Sequence, residues 1–368
     1  MGWAEKLSSG KYRAVYRDAE GRKRSAGIYP RKTEATRKAT AAEQAERDAP
    51  TPAEGRRMTW GQFEEQWQAG RTVTPGTRKT DEPKLKLHVR PKWQDVELRN
   101  ITPDSVQKWV AELTAKGLAP STVAKCYRLL SNSMRAAVKA RILVASPCQS
   151  ITLPRVGPTP ERYLEDDEYK AIRATLDPFD QLALDLLIGT GMRLGEALGL
   201  HWESVDLERK EIRIEWAYDR EGTKGFKAPK PSAARSVPLG NALARQLKAH
   251  FAATGYGVPA KLPYAGSRKV RTGLVLAHIE GKPMNGDNLR HRFEDAARIA
   301  WVGKGKTRRK VGHVRLHDLR HTYASRLVRA GVPIQEVSRL LGHASITTTM
   351  RYAHLATTQW DSVRKALG

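Results

Sequence analysis

The stretch GTGMRLGEALGL, residues 189–200, follows an apolar helix that is predicted to end at Ile188. Glycines in this stretch reverse the chain before Arg193 begins a new helix. An arginine at a helix start can hold an anion beside free backbone amides. Glu196, three residues further on, can orient that arginine. Arg193 therefore marks either an anion-binding site or an ordinary surface Arg–Glu pair.

The stretch RLHDLRHTYAS, residues 315–325, places His317 and Arg320 three positions apart and therefore on one helical face. Two donors on one face can converge on one phosphate. His313, His317 and His321 are also spaced four apart, so that a metal site is the alternative. We expect no metal, because the HExxH pattern is missing, no other ligand is obvious nearby, and Arg320 would repel a cation.

The stretch LLGHASITTTMRYAHL, residues 340–355, places a tyrosine shortly after a helix end. Gly342 is predicted to end one helix, with His343 in the turn and Ser345 or Thr347 at the start of the next helix. Tyr352 then lies on that second helix. Taken alone, such a tyrosine is far more often a half-buried packing residue than a nucleophile.

The chain carries 65 Lys and Arg against 39 Asp and Glu, a net charge of +26 over 368 residues. This surplus exceeds what solubility requires and predicts a polyanionic partner. Basic residues run from GRKRSAG near the N-terminus to GKGKTRRK near residue 310, which favours several surfaces that touch one long anion, DNA or RNA. A basic ribosome-associated protein is the alternative that charge alone leaves open.

The sequence predicts a cytoplasmic protein without structural disulfides. No run of residues approaches the ~18 apolar residues that a membrane span requires. The first residues, MGWAEKLSSG, lack the apolar segment of a secretory signal. Cys126 and Cys148 have neither the number nor the spacing for a disulfide framework or a zinc knuckle, and we expect both to be packing residues.

The first half of the chain divides into a small module and a helical unit. Alternating residues predict a hairpin sheet over residues 10–29, and an Ala-rich charged segment predicts a helix over residues 32–48. From residue 58 to residue 153 the apolar spacing is helical, with predicted helix starts at Thr102 and Ser121.

The second half begins after a linker. ITLPRVGPTPERYL, residues 151–164, contains three prolines and a glycine and predicts an extended segment. Beyond it, helical patterns precede EIRIEWAYDR and ARSVPLG, which predict a short antiparallel sheet. The sequence therefore predicts an α+β, mainly helical fold: a small N-terminal β-sheet-plus-helix module, a helical middle domain, and a mixed, mostly α last domain with a small antiparallel sheet.

Arg193 in TGMRLGEALGL, His317 and Arg320 in HDLRH, His343 in LGHAS and Tyr352 in MRYAH recur in the order of one family. The chain resembles the tyrosine recombinases, and among them the lambda-type integrases of phages and integrative elements. The resemblance covers the whole chain and is most specific in its last third. It implies an arm-type DNA-binding domain, a helical core-binding (SAM-like) domain, a linker and a catalytic domain at residues 1–55, 56–153, 154–162 and 163–368.

The resemblance implies site-specific cutting and rejoining of DNA that needs no metal, ATP or other cofactor. Arg193 and Arg320 would grip the non-bridging oxygens of one phosphate and stabilise the charge of the pentavalent transition state. Tyr352 would attack phosphorus, form a 3′-phosphotyrosyl bond and expel a 5′-hydroxyl. His317 would assist the proton movement, and His343 would donate a hydrogen bond to a phosphate oxygen.

The family's general acid is a lysine on a β-hairpin, and the resemblance places it in KGFKAPKPSAARSVPL, residues 224–239. ARSVPL looks like the outgoing strand and puts Lys230 at the usual distance before it. Family members commonly have Lys-Thr at this turn, whereas Lys230 is followed by Pro231 here. Lys224 and Lys227 therefore stay open as alternatives.

The partner that the resemblance implies is double-stranded DNA with core and arm attachment sites, bound by a homotetramer that integrates and excises a phage or mobile element. A directionality factor, a host DNA-bending protein and a place in the nucleoid belong to the same expectation. The N-terminal hairpin resembles the three-stranded sheet that reads arm sites in a major groove. Its candidate DNA-contacting residues are Tyr12, Arg13, Tyr16, Arg22, Lys23 and Arg24.

Two other functions stay open at this point. A type IB topoisomerase uses a closely similar pocket to relax supercoils, and a DNA-binding regulator would keep the fold without catalysis. The separate N-terminal module and the second histidine, His343, favour the recombinase. The presence of Arg193, Arg320 and Tyr352 disfavours the regulator.

Overall fold

The computed structural model describes residues 2–17, 22–48, 58–157, 161–222, 224–228, 235–266, 269–278 and 281–356, together with residues 364 and 367. The chain divides into two compact units, Met1–Gly157 and Pro158–Gly368. This division falls inside the predicted linker at residues 154–162. None of the helices in the described parts of the chain has the length and apolar character of a membrane-spanning segment.

The N-terminal module is a three-stranded antiparallel sheet packed against one helix. Its elements are β1 (Trp3–Lys6), β2 (Tyr12–Arg17), β3 (Lys23–Tyr29) and α1 (Lys32–Asp48). A register shift between Ala14 and Val15 turns both side chains inward, and both are buried. Ala14 meets Ala35 and Ala39 of α1, where small side chains let helix and sheet approach closely. The predicted helix over residues 32–48 is confirmed.

The middle of the chain is helical. Its helices are α2 (Trp60–Gly70), α3 (Pro75–Lys84), α4 (Arg90–Trp93), α5 (Pro103–Ala115) and α6 (Pro120–Lys139). Tryptophans fill the core of this unit: Trp93 and Trp109 meet edge to face with ring centroids 5.7 Å apart. Trp60 is fully buried and its indole N–H donates to Ser133 Oγ at 2.9 Å. The indole N–H of Trp109 donates to the carbonyl oxygen of His88 at 3.3 Å, whereas the buried indole N–H of Trp93 finds no partner among the described residues.

Helix starts in this unit follow ordinary capping chemistry. Thr102 Oγ1 accepts a hydrogen bond from the backbone N–H of Ser105 at the start of α5, so that the predicted start is confirmed. The predicted start at Ser121 is wrong, because α6 already begins at Pro120. Proline suits the first helical position, since its φ is preset and its missing N–H would have had no helical partner.

Both cysteines lie in the core of the helical unit as free thiols. Burial raises the pKa of the Cys126 thiol, and it raises the pKa of the Cys148 thiol to about 12. Since the thiolate is the reactive form, both side chains are inert at neutral pH. They are packing residues, as the sequence predicts.

The second unit combines helices with small antiparallel sheets. Its helices are α7 (Asp166–Arg173), α8 (Pro178–Thr190), α9 (Leu194–Leu198), α10 (Asn241–Thr254), α11 (Gly286–Ile299), α12 (Asp318–Arg329) and α13 (Ile334–Leu341). Its strands are β4 (Val205–Asp206), β5 (Glu211–Ile214), β6 (Ala217–Asp219), β7 (Gly225–Lys227), β8 (Arg235–Pro238), β9 (Trp301–Val302) and β10 (Arg309–Lys310). The sheet order is β4-β5-β8, while β6 pairs with β7 and β9 with β10. The predicted α+β, mainly helical fold class is confirmed.

One apolar core fixes the two segments on which the site is built. Leu184 and Leu186 of α8 are fully buried, as are Leu319 and Ala324 of α12, and all four belong to the same cluster. The helices α8 and α12 pack directly against each other. The end of α8 and the first turn of α12 are therefore held at a fixed separation by close packing.

The turn after α8 requires glycine. Gly191 has a φ of +64°, in the left-handed region, and its N–H caps α8 by bonding to the carbonyl of Leu187. A Cβ at this position would lie 2.3 Å from Cδ1 of Tyr323 on α12. Gly191 therefore serves both the reversal of the chain and the close approach of the two helices.

Gly191→Ala is expected to lower the free energy of unfolding of the second unit more than Gly312→Ala does. Both glycines have positive φ, +64° and +87°. For a residue with a Cβ, left-handed backbone costs about 1–2 kcal/mol. Only Gly191 adds a clash, because no atom lies within 4 Å of a Cβ at Gly312. Urea unfolding followed by circular dichroism measures both losses, and equal losses would show that Tyr323 yields without cost.

Candidate active site

Arg193 is held between the end of α8 and the start of α9. As the N-cap residue of α9, it donates its backbone N–H to Glu196 Oε2 at 2.9 Å. Its guanidinium donates to Glu196 Oε1 at 2.9 Å and to the carbonyl oxygen of Gly342 at 3.2 Å. The side chain nevertheless stays 42% exposed, so that an anion can approach a guanidinium whose direction is already fixed.

Glu196 is a buried carboxylate shared by two arginines. Its side chain is 4% exposed and accepts hydrogen bonds from Arg235 Nη1 and Nη2 at 3.2 and 2.8 Å. Burial alone would raise the pKa of Glu196, but Arg235 and Arg193 outweigh burial, and the pKa lies below its ordinary value. The alternative of an ordinary surface Arg–Glu pair is wrong, because the carboxylate is not at the surface.

Arg320 is a buried guanidinium on the first turn of α12. It is 4% exposed, and its two terminal nitrogens donate to the carbonyl oxygens of Gly191 at 2.6 Å and Leu341 at 2.5 Å. Burial and then the nearby charge of Arg193 lower the pKa of Arg320 to about 9, so that it remains protonated at neutral pH. The positively charged guanidinium of Arg320 is thus held in a fixed orientation near Arg193.

His317 and His343 lie near the buried arginine. His317 precedes α12 and keeps an exposed edge, and His343 Nδ1 lies 2.8 Å from Thr349 Oγ1. Desolvation, followed by His321 and Arg320, lowers the pKa of His317 to about 4. Desolvation, followed by the nearby arginines, lowers the pKa of His343 to about 4. Both rings are therefore neutral at pH 7 and can accept or donate a hydrogen bond.

Tyr352 lies on the 3₁₀ turn Met350–Leu355, which packs on α12. It is 2% exposed, and its hydroxyl lies 2.5 Å from Nδ1 of His321. Burial, followed by the negative charge of Glu161, raises the pKa of Tyr352 to about 12. The charges of Arg351 and Arg320 act in the opposite direction. The phenol is therefore protonated at neutral pH.

A second set of contacts braces the tyrosine-bearing turn. Arg351 Nε forms an ion pair with Glu161 at 2.8 Å, and the hydroxyl of Tyr163 donates to the same carboxylate. The ring of Tyr163 lies 6.4 Å from that of Tyr352, centroid to centroid. The segment at residues 161–163 therefore contacts the turn that carries Tyr352, in addition to the contacts that this turn makes with α12.

A cavity of about 270 Å³ opens beside His317 and Arg320. Arg290 and Arg315 also line it, with Glu294 as a carboxylate in the lining. Arg290 is paired with Asp287 and Arg315 with Asp318, and half of the lining side chains are apolar, so the charge of this cavity is largely compensated. A larger cavity of about 430 Å³ lies over the β4–β5 turn and contains none of these residues.

The structure brings together most of the predicted catalytic residues. Arg193, Arg320 and His343 meet at the backbone of residues 341–343, and His317 and Tyr352 join them through α12. Four of these positions follow from three turns: the end of α8, the start of α12 and the end of α13, where Gly342 adopts a φ of +63°. Tyr352 lies on a fourth segment, the 3₁₀ turn Met350–Leu355. The five residues of this cluster come from segments up to 159 positions apart in the sequence.

The lysine candidates fare differently. Lys230 lies outside the described residues. Lys227, on β7, forms an ion pair with Asp219 at 2.6 Å and is 46% exposed. Lys224 precedes β7 with a φ of +50°. The role of Lys224 as an alternative general acid, like that of Lys230 as the first candidate, stays a prediction.

Two contributors to the site were not assigned to it from the sequence. From the sequence, Arg235 is predicted only as a residue of the outgoing strand ARSVPL. His321 is considered only as one of three histidines that could bind a metal. Among the residues that the structure describes, no group of three or more His, Cys, Asp or Glu side chains is arranged to hold a metal ion. The position of His321 directly after the Arg320 of the HDLRH stretch was the available signal, but its contact with Tyr352 depends on tertiary packing.

Five of the six N-terminal candidates lie on strands β2 and β3, and Arg22 directly precedes β3. Tyr12 packs against the alanine cluster between sheet and helix, so that only part of its ring is exposed. Tyr16 is half-buried and pairs with Arg24 across β2 and β3. The cations at positions 13, 22, 23 and 24 are exposed, and Lys23 forms an ion pair with Glu5 at 2.6 Å. Their contact with DNA stays a prediction.

Comparison with solved structures identifies the fold. The integrase of the transposon Tn1549, solved with transposon right end DNA, superposes with a TM-score of 0.67 at 19% identity, covering 84% of this chain and 98% of that chain. Lambda integrase, solved as a tetramer bound to a Holliday junction, superposes with a TM-score of 0.61 at 18% identity, covering 94% and 96%. The architecture is that of an integrase.

Sequence comparison identifies the family. Residues 162–359 match the phage integrase family, and residues 59–114 match the N-terminal SAM-like domain of phage integrases. A tyrosine recombinase XerC-like protein of Caldanaerobacter subterraneus is 31% identical over 68% of this chain and 66% of its own length. The putative prophage phiRv2 integrase of Mycobacterium tuberculosis is 27% identical over 97% of this chain and 92% of its own length. The chain belongs to the phage integrase family of tyrosine recombinases, a class of site-specific DNA recombinases.

Glu196→Gln is expected to destabilise the second unit by about 3–5 kcal/mol near neutral pH, because it leaves the buried charge of Arg235 without its carboxylate partner. It should also flatten the acid limb of the stability curve. The folded pKa of Glu196 is below the ordinary 4.5, so its contribution is complete above that pH and is lost as pH falls through the folded pKa.

Urea unfolding between neutral pH and acid measures both effects. Glu208→Gln, which removes an exposed carboxylate from the β4–β5 turn, is the matched control and should leave stability nearly unchanged. A Glu196→Gln protein as stable as the control, with an unchanged acid limb, would show that the Glu196 carboxylate does not stabilise the buried charge of Arg235.

Proposed function

We propose that this protein is an integrase that cuts and rejoins DNA at attachment sites through a 3′-phosphotyrosyl intermediate, integrating and excising a phage or mobile element. The observation that carries the proposal is the gathering of Arg193, Arg320 and His343 at one turn, beside a buried Tyr352. Similarity to a prophage integrase and to the Tn1549 transposon integrase supports the mobile-element role.

The two arginines supply electrostatic stabilisation. Arg193 offers an oriented but accessible guanidinium, and Arg320 offers a buried one whose terminal nitrogens are aligned by backbone carbonyls. A phosphate between them replaces the repulsion of two neighbouring cations by attraction to both. Charge that accumulates on the phosphorus oxygens in the transition state strengthens these interactions, which lowers the barrier.

Tyr352 is the proposed nucleophile. Its oxygen attacks phosphorus, the bond from phosphorus to the 5′-oxygen breaks, and the phosphodiester is conserved as a phosphotyrosyl bond. Because Tyr352 is 2% exposed, the turn Met350–Leu355 must open toward the phosphate when DNA binds. In this function His317 assists proton movement, and His343, held by Thr349, donates to a phosphate oxygen.

Lys230 is the proposed general acid for the 5′-oxygen, with Lys224 and Lys227 as the alternatives. The argument for Lys230 is its distance before the strand that begins at Arg235, which itself contacts the site through Glu196. The ion pair of Lys227 with Asp219 disfavours that lysine, because the carboxylate would have to be displaced before the proton is delivered.

The proposed partner is double-stranded DNA. The segments at residues 1–55, 56–153, 154–162 and 163–368 would serve as arm-binding domain, core-binding domain, linker and catalytic domain. The net charge of +26 supplies the phosphate contacts, and affinity should therefore fall steeply with salt. Solved relatives bound to DNA, one of them a tetramer on a Holliday junction, support a tetramer on DNA. A directionality factor, a host DNA-bending protein and nucleoid association complete the proposal.

The alternatives are not favoured. The family matches cover both the catalytic region and the SAM-like domain of integrases. The relatives compared above are recombinases and integrases, whereas a type IB topoisomerase or a regulator without catalysis finds no support among them. The recombinase is therefore the function that the observations favour.

Tyr352→Phe is expected to abolish the covalent adduct with a nicked suicide duplex that spans the core attachment site, because phenylalanine has no nucleophilic oxygen. Binding to the same duplex should be retained. Denaturing gel electrophoresis measures the adduct, and an electrophoretic shift measures binding. An adduct that persists in the variant would overturn the proposal.

Arg193→Ala and Arg320→Ala are expected to slow adduct formation by about 100- to 1000-fold each, the usual effect of losing one transition-state donor. Arg298→Ala, which removes an exposed arginine paired with Asp295, is the control and should react at the wild-type rate.

Lys230→Ala is expected to react slowly on an ordinary phosphodiester and to regain most of its rate on DNA with sulfur in place of the 5′-bridging oxygen. A thiolate leaves without protonation, so it no longer needs the acid. Lys224→Ala and Lys227→Ala are the matched controls and should not show this recovery. Recovery in one of them, and not in Lys230→Ala, would reassign the acid.

A further inference from the structure

The hairpin of β9 and β10, residues 301–310, carries positive charge and no carboxylate. Its sequence, WVGKGKTRRK, contains five cations in ten residues. All five are exposed: Lys304, Lys306, Arg308, Arg309 and Lys310. Like charges this close together repel one another. The hairpin therefore depends on support from the rest of the fold, on a bound anion, or on both.

One face of the hairpin is fixed to the second unit. Val302 and Arg309 are partners across the two strands. Val302 belongs to the main apolar cluster, and Arg309 forms an ion pair at 2.7 Å with Glu168 of α7, whose side chain is fully buried. Arg162 binds the same carboxylate oxygen, also at 2.7 Å. Burial and the ion pair thus hold this face of the hairpin against α7.

The other face carries an exposed tryptophan with two cations against it. Trp301 is 45% exposed and pairs with Lys310 across the two strands. The guanidinium carbon of Arg308 lies 4.6 Å from the centroid of the indole ring, and the ammonium nitrogen of Lys310 lies 5.5 Å from it. Tryptophan is the aromatic residue that attracts cations most strongly. The indole therefore positions two flexible side chains before a ligand arrives, which reduces the entropy lost on binding.

The cations of this face differ from the exposed arginines of the neighbouring helices α11 and α12. Carboxylates pair with those arginines, in the ion pairs Arg290–Asp287, Arg298–Asp295 and Arg326–Asp166. Within the parts of the chain that the structure describes, four cations of the hairpin have no such ion pair: Lys304, Lys306, Arg308 and Lys310. The fold compensates the charge of the helices but leaves that of the hairpin available to a ligand.

Resting on the proposed function, we propose that the outward face of the β9–β10 hairpin binds backbone phosphates of the duplex that occupies the active site, in addition to the phosphate that reacts. Arg308 and Lys310, held against Trp301, donate to phosphate oxygens. Lys304 and Lys306 extend the positive charge along the turn. Contacts of this kind add affinity and orientation and carry no base preference.

The position of the hairpin in the chain favours the duplex as its ligand. Lys310 ends β10, and His317 of the site follows seven positions later. Seven extended residues span at most about 25 Å, which is less than the ~34 Å of one turn of duplex. Phosphates of a duplex bound at the site are therefore within reach of the hairpin. An acidic protein is the other polyanion that this charge would attract.

Helix α10 offers a control that removes the same amount of charge from another surface. Arg245 and Lys248 are exposed on α10 and make no ion pair with another described residue. The same helix contributes Phe251 to the cavity over the β4–β5 turn, which is lined by four carboxylates against two arginines. A polyanion is repelled by such a surface. Substitution of these two cations therefore reports the effect of net charge alone.

The double substitution Arg308→Gln with Lys310→Gln tests the proposal. It is made in Tyr352→Phe protein, so that binding is measured without reaction, and fluorescence anisotropy reports binding to a labelled duplex of arbitrary sequence. Each phosphate contact contributes about −0.9 to the slope of log affinity against log salt. The double variant should therefore reduce the magnitude of that slope by about 2. Arg245→Gln with Lys248→Gln should keep the slope of the parent protein.

Two further variants separate the charge of the hairpin from its structure. Arg308→Lys with Lys310→Arg keeps both charges and should keep the slope. Trp301→Ala also keeps them but removes the indole, and it should weaken binding by about two- to fivefold with the slope unchanged. A Trp301→Ala protein that binds as tightly as the parent protein would show that the indole does not position the two cations for the phosphates.

The remaining outcomes are distinct. An unchanged slope in the Arg308/Lys310 double variant overturns the phosphate contact and leaves an acidic protein as the partner of the hairpin. An equal loss of slope in the α10 control also overturns it, because net charge then explains the effect. Failure of the parent protein to bind the duplex at all overturns the proposed function itself, whereas failure of the hairpin contact alone leaves that function intact.

Discussion

The site depends on one buried carboxylate. Glu196 accepts hydrogen bonds from the backbone N–H and the guanidinium of Arg193 and from two nitrogens of Arg235, and both the carboxylate and Arg235 are buried. Three arginines near one another repel strongly where the effective dielectric constant is low. The carboxylate offsets part of that repulsion and fixes where the guanidinium groups point. Without it the cations would turn toward solvent, and the turn after α8 would lose its direction.

The cluster remains positive after this compensation. Burial, and after it the charges of Arg193 and Arg235, lower the pKa of Arg320, while Glu196 acts in the opposite direction. The backbone carbonyls of Gly191 and Leu341 align Arg320 but carry only partial negative charge. In the proposed function a phosphate would supply the missing negative charge, and its binding would relieve the repulsion between the arginines of the folded protein. Close packing of α8 against α12 keeps the cations from separating in the meantime.

Local patterns were enough to predict much of the fold and part of the site. The helix over residues 32–48 and the cap at Thr102 depend on neighbouring residues, and both are confirmed. The predicted antiparallel sheet is also confirmed, because the strand pattern of β5 and that of β8 are each visible in a short stretch. Arg193 and Arg320 could be singled out because a helix start and a helical spacing are visible in a short stretch. These properties belong to single segments, where sequence determines geometry directly.

Long-range packing explains what the sequence could not provide. Glu161 contacts Arg351, which is 190 positions away in the sequence, and His321 contacts Tyr352, which is 31 positions away. No periodic pattern in the sequence predicts either contact. Arg235 reads as an ordinary strand residue until β8 places it beside α9 and α13. The burial of Glu196 likewise depends on the whole core, so that a pair at helical spacing could equally have been a surface pair.

The state of Tyr352 connects this packing to control of reactivity. A tyrosine on a basic protein would ionise more easily if it stood among the arginines in solvent, and a phenolate exposed to water would react with any suitable electrophile. Burial and Glu161 keep the phenol protonated, while His321 and the contacts of Arg351 and Tyr163 hold its turn against the fold. Reaction then requires an event that opens the turn and brings negative charge to Arg193 and Arg320. In the proposed function a DNA phosphate would supply that charge, so that the substrate would complete the site.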